Sequence, residues 1–420
     1  MNIAIISRGD ASTGGAGNVA TLLSDAMKQA GFSVRHIVRI QHPSAPQQAF
    51  RKCLKGIRGD ILLRNAIGID ISGIRLIFSK IVEWADIVHF HDISVGYGIL
   101  PALWISKKLP ICITLHDFSM ITGGCLFPKD CRRYTIGCGS CPQVGHSPLT
   151  LPIDTTQHHF IQHHRLLSNK TVTVISPSDY MMIEAKRGTG QSANIVRIDS
   201  PVNTEIFSSE QCINGRQDLH LLIHQRAILF IASQIDDPRK GFFEFFDMFQ
   251  RIVKNKANWI LLLVGRFINA SNINISKKPY VYHFGAIADK KQLARVYAAS
   301  DCTVIPSVAD NVPCTVSESL CCGTPVIVRR IGGMPEMFID GRHGIVINDN
   351  TVDEWEKALT ILLEGKSSDR RSKIREYAQK RYGLATSMEK HIELYQGLYR
   401  RSIYSTTFKL KQNIRIQEIN

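Results

Sequence analysis

Twice along this chain a set of short, continuously apolar runs alternates with stretches of helical spacing, and a polar gap separates the two sets. The first set comprises Ile3–Ile6, Val34–Val38, Ile87–Phe90, Ile111–Leu115 and Val172–Ile175, with helical stretches such as Val19–Gln29 and Leu100–Lys107 between them. A strand with one wet face alternates polar and apolar residues, so runs without alternation predict parallel strands covered on both faces. Residues 199–220, DSPVNTEIFSSEQCINGRQDLH, are polar, carry no clear period and read as a connection. The second set follows: Ile228–Ala232, Trp259–Val264, Val281–Phe284, Thr303–Ile305 and Pro325–Val328. The pattern dictates an α/β chain of two doubly wound sheets, an arrangement that predicts a ligand cleft facing the carboxyl ends of the strands. A length of 420 residues suits two such domains better than one core. The boundaries read as 1–200 for the first, with a Cys-rich insertion at 123–145, and 201–385 for the second. Residues 386–420 remain as a C-terminal helix and basic tail. Val352–Leu363 and Lys373–Arg400 are helical in composition, and a loosely ordered tail is expected from Arg401.

Composition narrows the class without choosing a function. With 44% hydrophobic and 21% charged residues, the chain is globular and not disordered. Its start, MNIAIISRGD, has no basic n-region and reads as a first strand, and no apolar run approaches the roughly 18 residues of a membrane span. A cytoplasmic protein is expected. In that compartment thiols stay reduced, so eleven cysteines, an odd number, do not predict a disulfide framework. A formal charge of +15 fits nucleic acid, anionic lipid or a phosphorylated substrate equally well.

The segment Val304–Met337, VIPSVADNVPCTVSESLCCGTPVIVRRIGGMPEM, carries the most chemistry. A strand ends at Ile305, a loop carries Asp310, a helix carries Glu318, and Gly323-Thr324-Pro325 turns into the next strand. Free backbone N–H groups at that helix start form an anion site worth about 0.3–2 kcal/mol to a phosphate, and a carboxylate inside the helix can accept ribose hydroxyls. The segment resembles the C-terminal signature of family 4 glycosyltransferases of the GT-B fold: an acidic residue, seven residues, Glu, a small-residue turn, then Pro-Val-Ile. Here these are Asp310, Glu318, Gly323, Pro325, Val326 and Ile327, with Asp where the family usually has Glu.

The resemblance covers most of the chain and implies a fold of two Rossmann-like domains facing across a cleft. It also implies roles. Gly14 and Gly15, after the first strand, match the glycine-rich loop near donor phosphates and acceptor, although glycines there alone mark only a tight turn. His116, in Thr114-Leu115-His116-Asp117, matches a histidine contacting the donor sugar, where a strand-end His by itself is more often structural. In SQIDDPRKGF, Lys240 matches the family's diphosphate-binding Lys, and Arg239 stands in for its Arg, which elsewhere lies upstream, near Gln234 here; a solvated basic turn is the alternative. Asp310 goes to the donor sugar, Glu318 to the ribose, and Asn311 and Val312 to the same nucleotide-binding loop. No two aspartates are separated by a single residue, so the Asp-x-Asp metal motif of the other large glycosyltransferase class is missing. Fixed cations and a helix N-terminus would then stabilise the departing diphosphate, with no catalytic metal.

Cys125, Cys131, Cys138 and Cys141 admit a structural zinc or four inert thiols. A similar Gly-Cys and Cys-Pro pattern occurs in members resembling bacterial exopolysaccharide enzymes of the colanic-acid type. A zinc-held nucleic-acid module is disfavoured, because the cluster lies inside an α/β domain with no base-reading helix beside it. His158, His159, His163 and His164 read as a solvated helix face. The expected protein is a retaining glycosyltransferase that moves a sugar from a nucleotide-sugar donor to a glycan or polyprenyl-diphosphate-linked acceptor in bacterial polysaccharide synthesis. Its basic charge would dock it on anionic lipid at the inner face of the plasma membrane. A nucleotide-sugar-binding protein without transferase activity is the alternative.

Overall fold

The computed structural model describes residues 1–417 except 13, 41–75, 94–97, 147, 150–151, 191, 209–214, 269–274, 276–277 and 366–368; at 40 and 404–417 only the backbone is described. The chain divides into two compact units, Met1–Ile198 with Ser387–Asn420, and Asp199–Thr386.

In the first unit six parallel strands form one sheet: β1 (Asn2–Gly9), β2 (Ser33–Ile40), β3 (Ile87–His91), β4 (Ile111–Thr114), β5 (Val172–Ser176) and β6 (Asn194–Arg197). Their order is β2-β1-β3-β4-β5-β6, so the direction of winding reverses between β1 and β3. Along β1, Ala4 and Ile6 enter one buried cluster and Ile3 and Ile5 the other, so both faces are covered. The helix Gly15–Gln29 contributes Leu23 and Met27 to the second cluster. Tyr395 and Leu398 of the C-terminal helix join the same cluster, each worth about 1.5–3 kcal/mol relative to exposure.

The second unit repeats the architecture with β7 (Arg226–Gln234), β8 (Trp259–Arg266), β9 (Val281–His283), β10 (Cys302–Ile305), β11 (Val326–Arg329) and β12 (Gly344–Ile347). All pair in parallel, in the order β12-β11-β10-β7-β8-β9. Counted from β7 this is 3-2-1-4-5-6, the Rossmann order, and its reversal falls between β7 and β10.

Several expectations need correction. β6 and β12 went unseen in the sequence, although each closes an edge of its sheet. The helical stretch Lys373–Arg400 is two helices, Arg370–Tyr382 and Leu384–Gln417. They break at Gly383, whose backbone bridges to Val202, where Val202 N–H donates to the Tyr382 carbonyl at 2.8 Å. The connection 199–220 is therefore built into the second unit, with Val202 and Phe207 in its core. In place of a loose tail from Arg401 the helix continues to Gln417. Among the described residues no helix is long and apolar enough to cross a membrane.

Candidate active site

In the second unit, the loops following β7 and β10 leave the sheet in opposite directions, which opens a crevice at their carboxyl ends. Lys240 lies in the first loop and Asp310 in the second, seventy residues apart, with Nζ of Lys240 2.6 Å from Oδ2 of Asp310. The pair is largely sequestered, with side chains 24% and 12% exposed. Ser307 donates to the same Asp310 oxygen at 3.2 Å. Arg239 turns elsewhere: its guanidinium lies 2.5 Å from Asp237, two residues before it, and its carbonyl accepts from Val308 N–H at 2.8 Å.

Two glycines let these loops touch. Gly241 has φ 66°, and a Cβ there would stand 2.1 Å from the Pro306 carbonyl oxygen. Gly332, at φ 57°, lies against the Asp310 carbonyl, 2.0 Å from where its Cβ would be, and Gly333 N–H donates to the Asn311 carbonyl at 3.0 Å. The loops after β7, β10 and β11 are thus fastened backbone to backbone. Gly241→Ala combines left-handed strain of about 1–2 kcal/mol with a backbone collision. It is expected to lower the thermal unfolding midpoint by several degrees, and an unchanged midpoint would show that the loop contact is not tight.

The helix Cys314–Cys321 begins after Pro313, with Asn311 buried and Val312 half-buried just before it. Glu318 is buried, and its Oε2 accepts from the Tyr297 hydroxyl at 3.0 Å. Burial pushes its carboxyl above the ordinary range, opposed by the nearby Lys290 ammonium. Tyr297, Lys290 and Ser307 were not singled out from sequence. The glycine pair 332–333 was the one visible hint of a third loop.

In the first unit, the carboxyl ends of β1, β3 and β4 carry Gly14, His91-Asp92 and His116-Asp117 respectively. Gly14, at φ 124°, caps the helix that Gly15 begins, with nothing within 4 Å of where its Cβ would be. His116 Nε2 is 2.8 Å from Nδ1 of His91, and burial lowers the His116 pKa to about 4. Burial also raises Asp92 and Asp117 to about 6 each, with the Asp92 charge adding to the effect at Asp117.

Cys125, Cys131, Cys138 and Cys141 line one cavity as free thiols. Burial pushes the Cys125 thiol up to about 11 and that of Cys138 to about 12. Among the described residues no group of three or more His, Cys, Asp or Glu side chains is placed to hold a metal ion. The insertion is fixed to the domain by other means. Buried Tyr134 donates to Glu184 of the helix Asp179–Thr189, which also pairs with Arg187 at 2.6 Å. The solvated-face reading of the histidine run fails at His163, which is buried with Nδ1 2.8 Å from the Thr122 carbonyl of the insertion; His158 does lie exposed.

Two family models match nearly the whole described sheet system. One, described as Glycosyltransferase Family 4, matches residues 13–206, and the other, Glycosyl transferases group 1, matches residues 220–381. A D-inositol 3-phosphate glycosyltransferase of Mycobacterium marinum is 29% identical over 126 residues, 30% of this chain and 27% of that protein. The chain therefore spans about a quarter of the length of that curated relative. Among solved structures, a sucrose-phosphate synthase from Thermosynechococcus elongatus aligns with TM-score 0.69 at 17% identity, over 96% of this chain and all of that one (100%). Anabaena HepE, solved in complex with UDP, aligns with TM-score 0.65 at 15% identity, over 94% and 100% of the two chains.

Proposed function

Because the chain belongs to the family 4 glycosyltransferases of the GT-B fold, we propose that it transfers a sugar from a nucleotide-sugar donor to an acceptor hydroxyl, with retention at the anomeric carbon. The observation that carries this reading is the Lys240–Asp310 pair, held at 2.6 Å at the reversal point of a Rossmann-ordered sheet. Lys240 faces the donor diphosphate and Asp310 the sugar hydroxyls, so each exchanges its present partner for a ligand group. Glu318 accepts from the ribose, and the loop of Asn311 and Val312 leads the phosphates to the N-terminus of its helix. Arg239, bound to Asp237, is released to serve as a second cation. His116 contacts the donor sugar, and the loop of Gly14 and Gly15 lies toward the donor phosphates and the acceptor.

In the reaction the bond from the anomeric carbon to the diphosphate oxygen breaks, and a bond from that carbon to the acceptor oxygen forms on the same face. The acceptor proton passes to the departing diphosphate, which needs no separate base. Lys240 and the helix N-terminus stabilise the charge that develops there, a metal-independent scheme also suggested by the missing Asp-x-Asp pattern. Structural zinc is not part of this reading, since no group of three or more His, Cys, Asp or Glu side chains among the described residues is placed to hold a metal ion.

The acceptor is proposed to be a glycan or polyprenyl-diphosphate-linked oligosaccharide of a bacterial cell-surface polysaccharide, reached from an anionic cytoplasmic membrane surface. The +15 charge favours a phosphorylated acceptor or surface, as does the inositol phosphate in the relative's name, which supplies a second acceptor class. Thermal shift against UDP, GDP, ADP and dTDP, with and without a divalent ion, tests the donor. A ligand at about 100 times its Kd adds about 2.7 kcal/mol of stability, so one nucleotide is expected to raise the midpoint whether or not metal is present. No response to any of the four would overturn the donor assignment. Flotation with liposomes, with and without anionic lipid, tests the surface: equal recovery in both would remove it.

A further inference from the structure

Beneath His116 lies a file of buried aromatic side chains that the transfer reaction does not by itself require. His91 Nδ1 contacts His116 Nε2 at 2.8 Å, and the rings lie 5.1 Å apart, stacked. His91 rests on His89, with ring centroids 4.3 Å apart. Both nitrogens of His89 are engaged, Nδ1 with the Tyr395 hydroxyl at 2.6 Å and Nε2 with Thr114 Oγ1 at 2.7 Å. The C-terminal helix therefore sets His89, and His89 sets the plane of His91.

His91 is 1% exposed, and its Nε2 has no hydrogen-bond partner among the described residues. Burial holds both His91 and His116 neutral at physiological pH, so each ring carries a single proton. Two assignments fit the contact at 2.8 Å. If His116 donates, His91 must keep its proton on Nε2, a buried donor with no acceptor among the described residues. If His91 donates, Nε2 carries only a lone pair. Orphaned buried donors are rarer and costlier than under-used acceptors.

We propose that His91 is a positioning residue: its Nδ1–H donates to Nε2 of His116, which fixes His116 in the tautomer whose own proton sits on Nδ1. His116 is thereby presented as a hydrogen-bond donor toward a sugar oxygen. That last step rests on the donor-contact role proposed above, whereas the tautomer assignment does not.

Histidine-selective ¹⁵N NMR of the ligand-free protein near neutral pH reads the tautomer, with His116 identified by the signals lost in His116→Ala. Nδ1 of His116 is expected in the protonated range and Nε2 in the bare range. His91→Leu should move the pair toward an averaged pattern, and His91→Asn, which places an N–H the same number of bonds from the backbone, should retain it. A His116 protonated on Nε2 in the unmodified protein, or one unaffected by His91→Leu, overturns the proposal.

Kinetics separate it from the functional reading, using whichever of UDP-glucose, ADP-glucose and GDP-mannose supports turnover. His91→Leu is expected to lower kcat/KM about tenfold while affinity for the bare nucleoside diphosphate stays constant, with recovery in His91→Asn. If His116→Ala is impaired and His91→Leu is not, positioning by His91 falls alone. If His116→Ala turns over normally, the donor contact falls, while the NMR result still decides the tautomer.

Discussion

Lys240→Ala is expected to lower kcat by about 10²–10³, the cost of removing one preorganised cation from the extra charge that builds on the leaving diphosphate. KM for the donor should rise less, because in the proposed site the helix start at Cys314 also faces the ground-state diphosphate. The same substitution also strips Asp310 of its partner. With its side chain 12% exposed, it loses the ammonium 2.6 Å away and is left a largely buried, uncompensated carboxylate. Loss of activity could then follow from loop disorder and not from loss of a cation. Lys240→Ala with Asp310→Asn removes both charges, and should recover much of the unfolding midpoint lost in the single variant without recovering turnover. Near-normal turnover in Lys240→Ala would sink the assignment of this loop to the diphosphate, whatever the fold.

How far these groups could be read in advance depended on whether their signal was local. The ten strands that carry continuous apolar runs were legible because both faces of each sheet are covered, as the split of Ile3 and Ile5 from Ala4 and Ile6 illustrates. β6, Asn194–Arg197, was not, because an edge strand half open to solvent needs no apolar run. The break at Gly383 was hidden for a different reason: helical composition continues through it, and only the bridge to Val202 explains the stop. At the site, Lys240 and Asp310 each stood out through family resemblance, but their contact is a property of the strand order, which places β7 beside β10. His89 and His91 gave no chemical signal at all, since in IVHFH they pass for buried strand residues, as indeed they are. Their significance lies in what β4 and the C-terminal helix bring against them. His163 was misread because a run of four histidines in one helix looks hydrophilic, while its rotation toward Thr122 is decided by the insertion that packs on it.

The same burial makes the first unit acid-labile, and the expected size is large. His116, His163 and His391 titrate at about 4 in the folded protein, and His89 and His91 lie well below their ordinary value, all chiefly through burial. Unfolded, each would titrate near 6.5. Below that pH the unfolded chain takes up protons that the folded chain refuses, so the stability these groups confer is complete above about pH 6.5 and declines as pH falls toward 4. At about 1.36 kcal/mol per pH unit, each loses about 2 kcal/mol by pH 5. Asp92 and Asp117 act in the opposite sense: raised to about 6, they bind protons in the folded state first and stabilise it as pH falls from 6 toward 4. Two carboxyls offset only part of five imidazoles, which leaves a net loss on the order of 5 kcal/mol, comparable with the whole stability of an ordinary domain. The second unit has no matching set among its described residues: its Glu318 is raised, and His343 and Glu354 are the groups lowered. Acidification from neutral pH to about 5 should therefore unfold the first unit before the second, seen as two calorimetric transitions drawing apart and as proteolysis concentrated in residues of the first unit. A first transition that holds its midpoint across this range would mean that these histidines are not buried neutral, and would remove the premise on which the tautomer of His116 was assigned.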